Sequence, residues 1–207
     1  MNKRNYQKEL DRVLEGLKDQ PAKHLFLHSC CAPCSSYVLE YLSPYFQITV
    51  FYYNPNITAS SEYFKRVEEQ KRLIERLNQS KEHYPIAVIE GDYKPEIFLD
   101  MAAGMENCPE GGERCFLCYE MRLRETCEYA KAHGFDFFTT TLSISPLKNA
   151  AKLNEIGEKL QNEYQISYLY SDFKKKNGYK RSTEISKEYE MYRQDYCGCV
   201  YSIRKEG

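Results

Sequence analysis

The chain has 207 residues, with 29 Lys and Arg against 30 Asp and Glu and a formal net charge of −1, so no globally positive field draws it to nucleic acid. That length suits one domain, residues 1–207, with a C-terminal helical tail from about 182 to 207. Met1 to Gln20 is charged throughout and lacks the apolar core of a secretory signal, and no run approaches the roughly 18 apolar residues of a membrane span; a cytoplasmic protein with no membrane partner is expected.

Asn5 to Leu17 places Tyr6, Leu10, Val13, Leu14 and Leu17 at helical spacing and predicts an amphipathic helix. His24 to His28 (HLFLH) is a short buried strand leading into a cysteine loop. Pro33 suits the first turn of a helix, where the N–H it lacks would be unbonded anyway, and Cys34 to Leu42 should continue that helix. Gln47 to Tyr53 is a β-branched and aromatic strand stopped by Asn54-Pro55, followed by a long helix from Ser60 to Leu77 and a third strand from Tyr84 to Glu90. Pro95 to Ala103 predicts a short helix, and Gly111-Gly112 breaks the chain before a helix from about Cys115 to His133. Phe135 to Leu142 is a fourth strand, Asn149 to Gln161 a helix and Ile166 to Tyr170 a fifth strand; Ser182 to Tyr196 reads as a helix that delivers the last cysteines.

Strands alternating with helices predict an α/β fold: a doubly wound, Rossmann-like parallel sheet of about five strands, resembling the topology of PP-loop and adenine-nucleotide hydrolase proteins. In such a sheet the C-terminal ends of the strands share one rim. The loop bearing Cys30 leaves the first strand there, and the helix bearing Cys115 opens near the same rim, so the two groups can meet.

Nine cysteines fall in short groups: Cys30-Cys31 with Cys34, Cys108 alone, Cys115-x-x-Cys118, and Cys197-Gly198-Cys199, with Cys127 left over. In a reducing compartment clustered thiols are ligands or catalysts more often than disulfides. Cys30, Cys31, Cys115 and Cys118 supply the four thiolates of either a tetrahedral zinc or a cubane iron–sulfur cluster, and spacing alone does not choose. Adjacent side chains diverge, which suits a wide cluster better than one ion. Cys34, three residues after Cys31, faces the same side and could be an alternative ligand or hold a second metal such as an iron ion. The Cys197 and Cys199 pair is too tight for an unstrained disulfide and suits electron exchange. Cys108 and Cys127 read as ordinary packing or loop residues.

His28 lies two residues from the first thiols and is a candidate proton donor. Lys174, Lys175, Lys176, Lys180 and Arg181 put five basic residues in eight positions, a candidate phosphate site whose affinity would fall with salt, although a solvated loop explains the run equally well. Lys148 and Asn149, in Ser-x-Ser-Pro-x-Lys-Asn, add a helix N-terminus suited to a phosphate or ribose.

His28-Ser-Cys-Cys-Ala-Pro-Cys34, Glu110-Gly-Gly-Glu-Arg-Cys-Phe-Leu-Cys118, Thr141-Leu-Ser-Ile-Ser-Pro-Leu-Lys-Asn149 and Gln194-Asp-Tyr-Cys-Gly-Cys199 together resemble the QueH family of epoxyqueuosine reductases, over about residues 24 to 201. The resemblance implies cobalamin-independent reduction of epoxyqueuosine to queuosine at the wobble position of a tRNA. It also implies a 4Fe-4S cluster on Cys30, Cys31, Cys115 and Cys118, and a redox-active pair at Cys197 and Cys199. Removing an epoxide oxygen as water takes two electrons and two protons, so an external electron donor is expected as a partner. Other readings are a zinc-stabilised RNA-binding module without catalysis, or another cysteine-rich tRNA-modifying enzyme. An ATP-dependent tRNA thiolase would need a glycine-rich phosphate loop, and Ser29 to Cys34 has no glycine.

Overall fold

The computed structural model describes residues 4–80 and 83–203. Five parallel strands form one sheet in the order β3-β2-β1-β4-β5: β1 (Lys23–His28), β2 (Phe46–Tyr52), β3 (Ala87–Glu90), β4 (Phe137–Thr140) and β5 (Ser167–Tyr168). Among the described residues seven α-helices connect and cover it: α1 (Tyr6–Leu17), α2 (Ala32–Leu42), α3 (Ser60–Leu77), α4 (Pro95–Ala102), α5 (Glu113–Ala132), α6 (Ala150–Tyr164) and α7 (Gly178–Glu188). This is the expected doubly wound, Rossmann-like arrangement.

Strand alternation sends neighbouring side chains to opposite faces and so builds two cores. Leu25, Leu27, Ile48 and Val50 pack with Leu10 and Leu14 of α1, Val38, Leu39 and Leu42 of α2, and Ile185 of α7. Phe26, Phe51 and Phe138 face the other way, against Tyr119, Leu123 and Ala130 of α5 and Leu153, Ile156 and Leu160 of α6. No helix among the described residues is long and apolar enough to cross a membrane.

Four expected elements differ in extent. The fourth strand stops at Thr140, whose hydroxyl accepts from the Leu142 N–H at 3.1 Å and turns the chain into a 3₁₀ segment, Thr141–Ile144. Strands three and five are shorter than their apolar runs. The expected helix from Ser182 to Tyr196 starts earlier and ends at Glu188; Glu190, at φ +50°, diverts the chain, and the last cysteines arrive on turns. Residues 204–207 of the expected tail lie outside the described residues.

Candidate active site

The exit from β1 builds the first thiol group. Ser29 N–H still bonds to the Phe51 carbonyl at 2.9 Å, and Cys31 then occupies the N-cap of α2 with extended backbone. Its side chain does not cap the helix, which leaves the sulfur free to face its neighbours. The sulfurs of Cys30, Cys31 and Cys34 all lie within 4.8 Å of one another. Cys30 and Cys31 are 3.9 Å apart, and the Thr141 hydroxyl donates to the Cys30 sulfur at 3.5 Å. Hydrogen bonds from Cys30 and then Cys34 hold the Cys31 thiol well below its usual range, while the Cys31 bond pushes Cys30 up to about 11. The triad thus shares its protons around one thiolate.

The second group sits on α5 and the C-terminal turns. Cys115 and Cys118 lie in the first turns of α5 and, with Cys197 and Cys199, line a small cavity. The Gly111 N–H donates to the Cys115 sulfur at 3.3 Å. Burial pushes Cys118 up to about 12 and also raises Cys199. The Cys197-Gly198-Cys199 turn is fastened from below: Arg66 donates to the carbonyls of Cys197 (3.2 Å) and Tyr196 (3.5 Å), and Thr58 N–H to that of Gly198 (3.2 Å). Gly198 has φ +112°, and a Cβ there would stand 2.8 Å from Ile57 Cγ1, so this position requires glycine.

A larger cavity of about 440 Å³ opens beside the first group, lined by Cys30, Cys31, Cys34 and Cys197 among others. The two cavities share a wall of Glu110, Arg122, Lys148, Cys197 and Ser202. Lys148, with a side chain only 8% exposed, places its ammonium 3.3 Å from Glu110 and 3.3 Å from the Cys197 sulfur. Burial would lower the Lys148 pKa, but the Cys197 and Tyr119 groups outweigh it and the ammonium stays charged.

Five buried polar atoms around these thiols have no hydrogen-bond partner among the described residues: Tyr52 Oη, Asn56 Oδ1, Tyr119 Oη, Arg122 Nη2 and Gln194 Oε1. Burying unsatisfied groups is costly, and gathering them beside thiols is what a polar, sulfur-ligated occupant requires. All nine cysteines are free, and seven of them line the two cavities, a donor set that fits a soft metal or a sulfur-ligated cluster.

The predicted residues divide. Cys30, Cys31, Cys34, Cys197 and Lys148 meet at the larger cavity, and Cys115, Cys118 and Cys199 at the smaller one next to it. His28 belongs elsewhere: it is fully buried, with Nδ1 2.8 Å from the Thr140 hydroxyl and Nε2 3.0 Å from the Tyr53 carbonyl. Burial, then Arg122, lowers its pKa to about 3, so it is neutral, lines neither cavity and braces strand ends instead of offering a proton. Asn149 is the N-cap of α6, accepting from Lys152 N–H at 3.0 Å. The basic run is mostly spent on local carboxylates: Lys174 on Asp172 (3.1 Å), Lys176 on Asp11 (2.6 Å), Lys180 on Glu184 (3.8 Å), and Arg181 on Glu40 (2.8 Å) and Glu188 (2.9 Å). Lys175 has no ion pair among the described residues.

Sequence reading missed Arg66, Arg122 and Asn56, and quoted Gln194 in a motif without giving it a role. The one available signal was helical spacing, which puts Arg122 one turn after Cys118; its Nε donates to the Cys118 carbonyl at 3.2 Å.

Residues 25–205 match the family described as epoxyqueuosine reductase QueH. A protein of that name from Staphylococcus epidermidis is 43% identical over 206 residues, covering 98% of this chain and 86% of the relative. One from Streptococcus pyogenes serotype M1 is 41% identical, covering 95% of this chain and 79% of the relative. A third, from Thermotoga maritima, is 32% identical, covering 86% and 90%.

Proposed function

The chain belongs to the QueH family of epoxyqueuosine reductases, and on that premise we propose that Cys30, Cys31, Cys115 and Cys118 would hold a 4Fe-4S cluster able to supply electrons. It is an oxidoreductase of queuosine synthesis, which makes a tRNA its substrate. The observation that carries the cluster reading is the shared wall: two pairs of thiols on either side of Arg122 and Lys148, with five orphaned polar atoms around them. When bound, such a cluster would supply electrons one at a time and Lewis acidity.

The chain's own residues define the rest. A cavity of about 440 Å³ is in the range that holds a nucleoside-sized ligand. Leu147 and Tyr179, 61% and 43% exposed, line it and offer apolar and aromatic surfaces for an unstacked base. Cys34 reaches the same cavity as the first thiols and is positioned to hold a second iron. Glu110 and Cys197 engage Lys148 through two of its three N–H donors; the third is available to the epoxide oxygen, where it would stabilise negative charge as the C–O bond breaks. Cys197 and Cys199, held by the Arg66-fastened turn, form the dithiol that relays electrons from an external donor. Two electrons and two protons enter and one water leaves. A tRNA substrate supports a cytoplasmic location.

The test is an anaerobic incubation of the iron-loaded protein and a reductant with tRNA carrying epoxyqueuosine, followed by nucleoside analysis. Queuosine should replace epoxyqueuosine. Unchanged epoxyqueuosine with loaded protein would refute the activity.

A further inference from the structure

We infer that Arg122 is the buried counter-charge of the sulfur-ligated group and sets how readily that group accepts an electron. The inference rests on the cluster reading above and adds a residue that the cysteine pattern does not contain.

Arg122 is 1% exposed, and among the described residues it has no carboxylate within ion-pairing distance. Its Nε is used by the Cys118 carbonyl and its Nη1 by Asn54 Oδ1 at 3.4 Å; Nη2 is buried with no partner at all. The other two buried arginines among the described residues are provided for. Arg66 pairs with Glu62 at 2.7 Å. Arg114 donates to the carbonyls of Met105 (2.6 Å) and Glu106 (3.2 Å) and lies over the Tyr201 ring.

A guanidinium cannot shed its proton at any ordinary pH, so a buried one without an anion is costly unless the anion is something other than a carboxylate. Sulfur surrounds it instead: Cys118 lies one helical turn before it, Cys30, Cys31 and Cys34 line the larger cavity, and Cys115 and Cys199 line the smaller one. Arg122 also borders both cavities. Its position therefore matches a negative charge held between Cys30 and Cys31 on one side and Cys115 and Cys118 on the other, which would be the charge of four thiolates around iron and sulfide.

Reducing the cluster adds one electron and one unit of negative charge. A fixed positive charge in a poorly screened interior favours that step, and its removal must disfavour it.

The experiment is an anaerobic redox titration, followed by electron paramagnetic resonance, of reconstituted wild type, Arg122→Met and Arg122→Lys. Arg122→Met should move the midpoint to lower potential by at least the equivalent of a tenfold change in the reduction equilibrium, about 59 mV for a one-electron couple. Arg122→Lys should restore most of that shift. An Arg122→Met protein with wild-type iron and sulfide content and an unchanged midpoint overturns the inference while leaving the cluster reading intact. A wild type that binds no iron and sulfide overturns both. Should Arg122→Met fail to fold or load, Asn54→Asp, which sets a carboxylate beside the guanidinium, takes its place; it should lower the midpoint likewise, and an unchanged midpoint there overturns the inference.

Discussion

The Lys148 ammonium lies 3.3 Å from the Cys197 sulfur, on the wall common to both thiol cavities. One buried cation therefore touches the dithiol and faces the space where the nucleoside would sit. Lys148→Met should lower kcat by about 10²-fold, the usual effect of deleting one preorganised donor, with iron content unchanged. Lys148→Arg should recover part of it. A loss confined to KM would instead give Lys148 a role in holding the tRNA.

Gly198→Ala puts a methyl group where Ile57 Cγ1 already stands, at a backbone angle that side chains rarely adopt. The strain should cost about 1–3 kcal/mol or be relieved by moving the cysteine turn. We expect lower thermal stability and a severe loss of turnover, with cluster content retained. Wild-type turnover would show that the dithiol's placement is immaterial.

His28→Leu removes the ring between Thr140 and the Tyr53 carbonyl; the Thr140 hydroxyl keeps its bond from the Leu142 N–H, but the Tyr53 carbonyl loses its ring partner, at about 1–3 kcal/mol. Urea denaturation should show that loss. His28→Gln, which keeps hydrogen-bonding capacity, should keep kcat within about threefold if the residue is a brace and not a proton donor; a drop comparable with loss of a general acid would restore the catalytic assignment.

The α/β frame was legible because its central strands, such as Leu25 to Leu27, are buried on both faces and read as continuous apolar runs. The strand that ends at Thr140 was not, because a threonine hydroxyl capping a turn looks in sequence like one more β-branched residue. The start of α7 was missed for a related reason. Gly178 reads as a breaker, yet it is needed because a Cβ would lie 2.0 Å from the Phe173 carbonyl oxygen. At the site, the thiols announced themselves, while Arg122 did not. An arginine on a helix reads as solvent-facing, and only the packing of α5 against the sheet shows it buried.

The basic run illustrates the opposite error, since a charge cluster in sequence hides its partners. Lys176 and Arg181 are tied to Asp11 and Glu40, so Lys176→Ala with Arg181→Ala should raise the KM for tRNA by less than about threefold and barely change its salt dependence. Stability should fall by only a few tenths of a kcal/mol per pair, as for other exposed ion pairs. A steep loss of tRNA affinity would make this face part of the RNA footprint.

Iron and acid-labile sulfide content of anaerobically reconstituted wild type and of single Cys→Ser variants tests the central claim most directly. Serine at Cys30, Cys31, Cys115 or Cys118 should each abolish or sharply reduce cluster content, whereas Cys197→Ser and Cys199→Ser should leave it intact. Full iron and sulfide in Cys115→Ser and Cys118→Ser, with loss in Cys34→Ser, would mean that the metal belongs to the Cys30, Cys31 and Cys34 triad alone, and the cluster shared across the Arg122 wall would have to be abandoned.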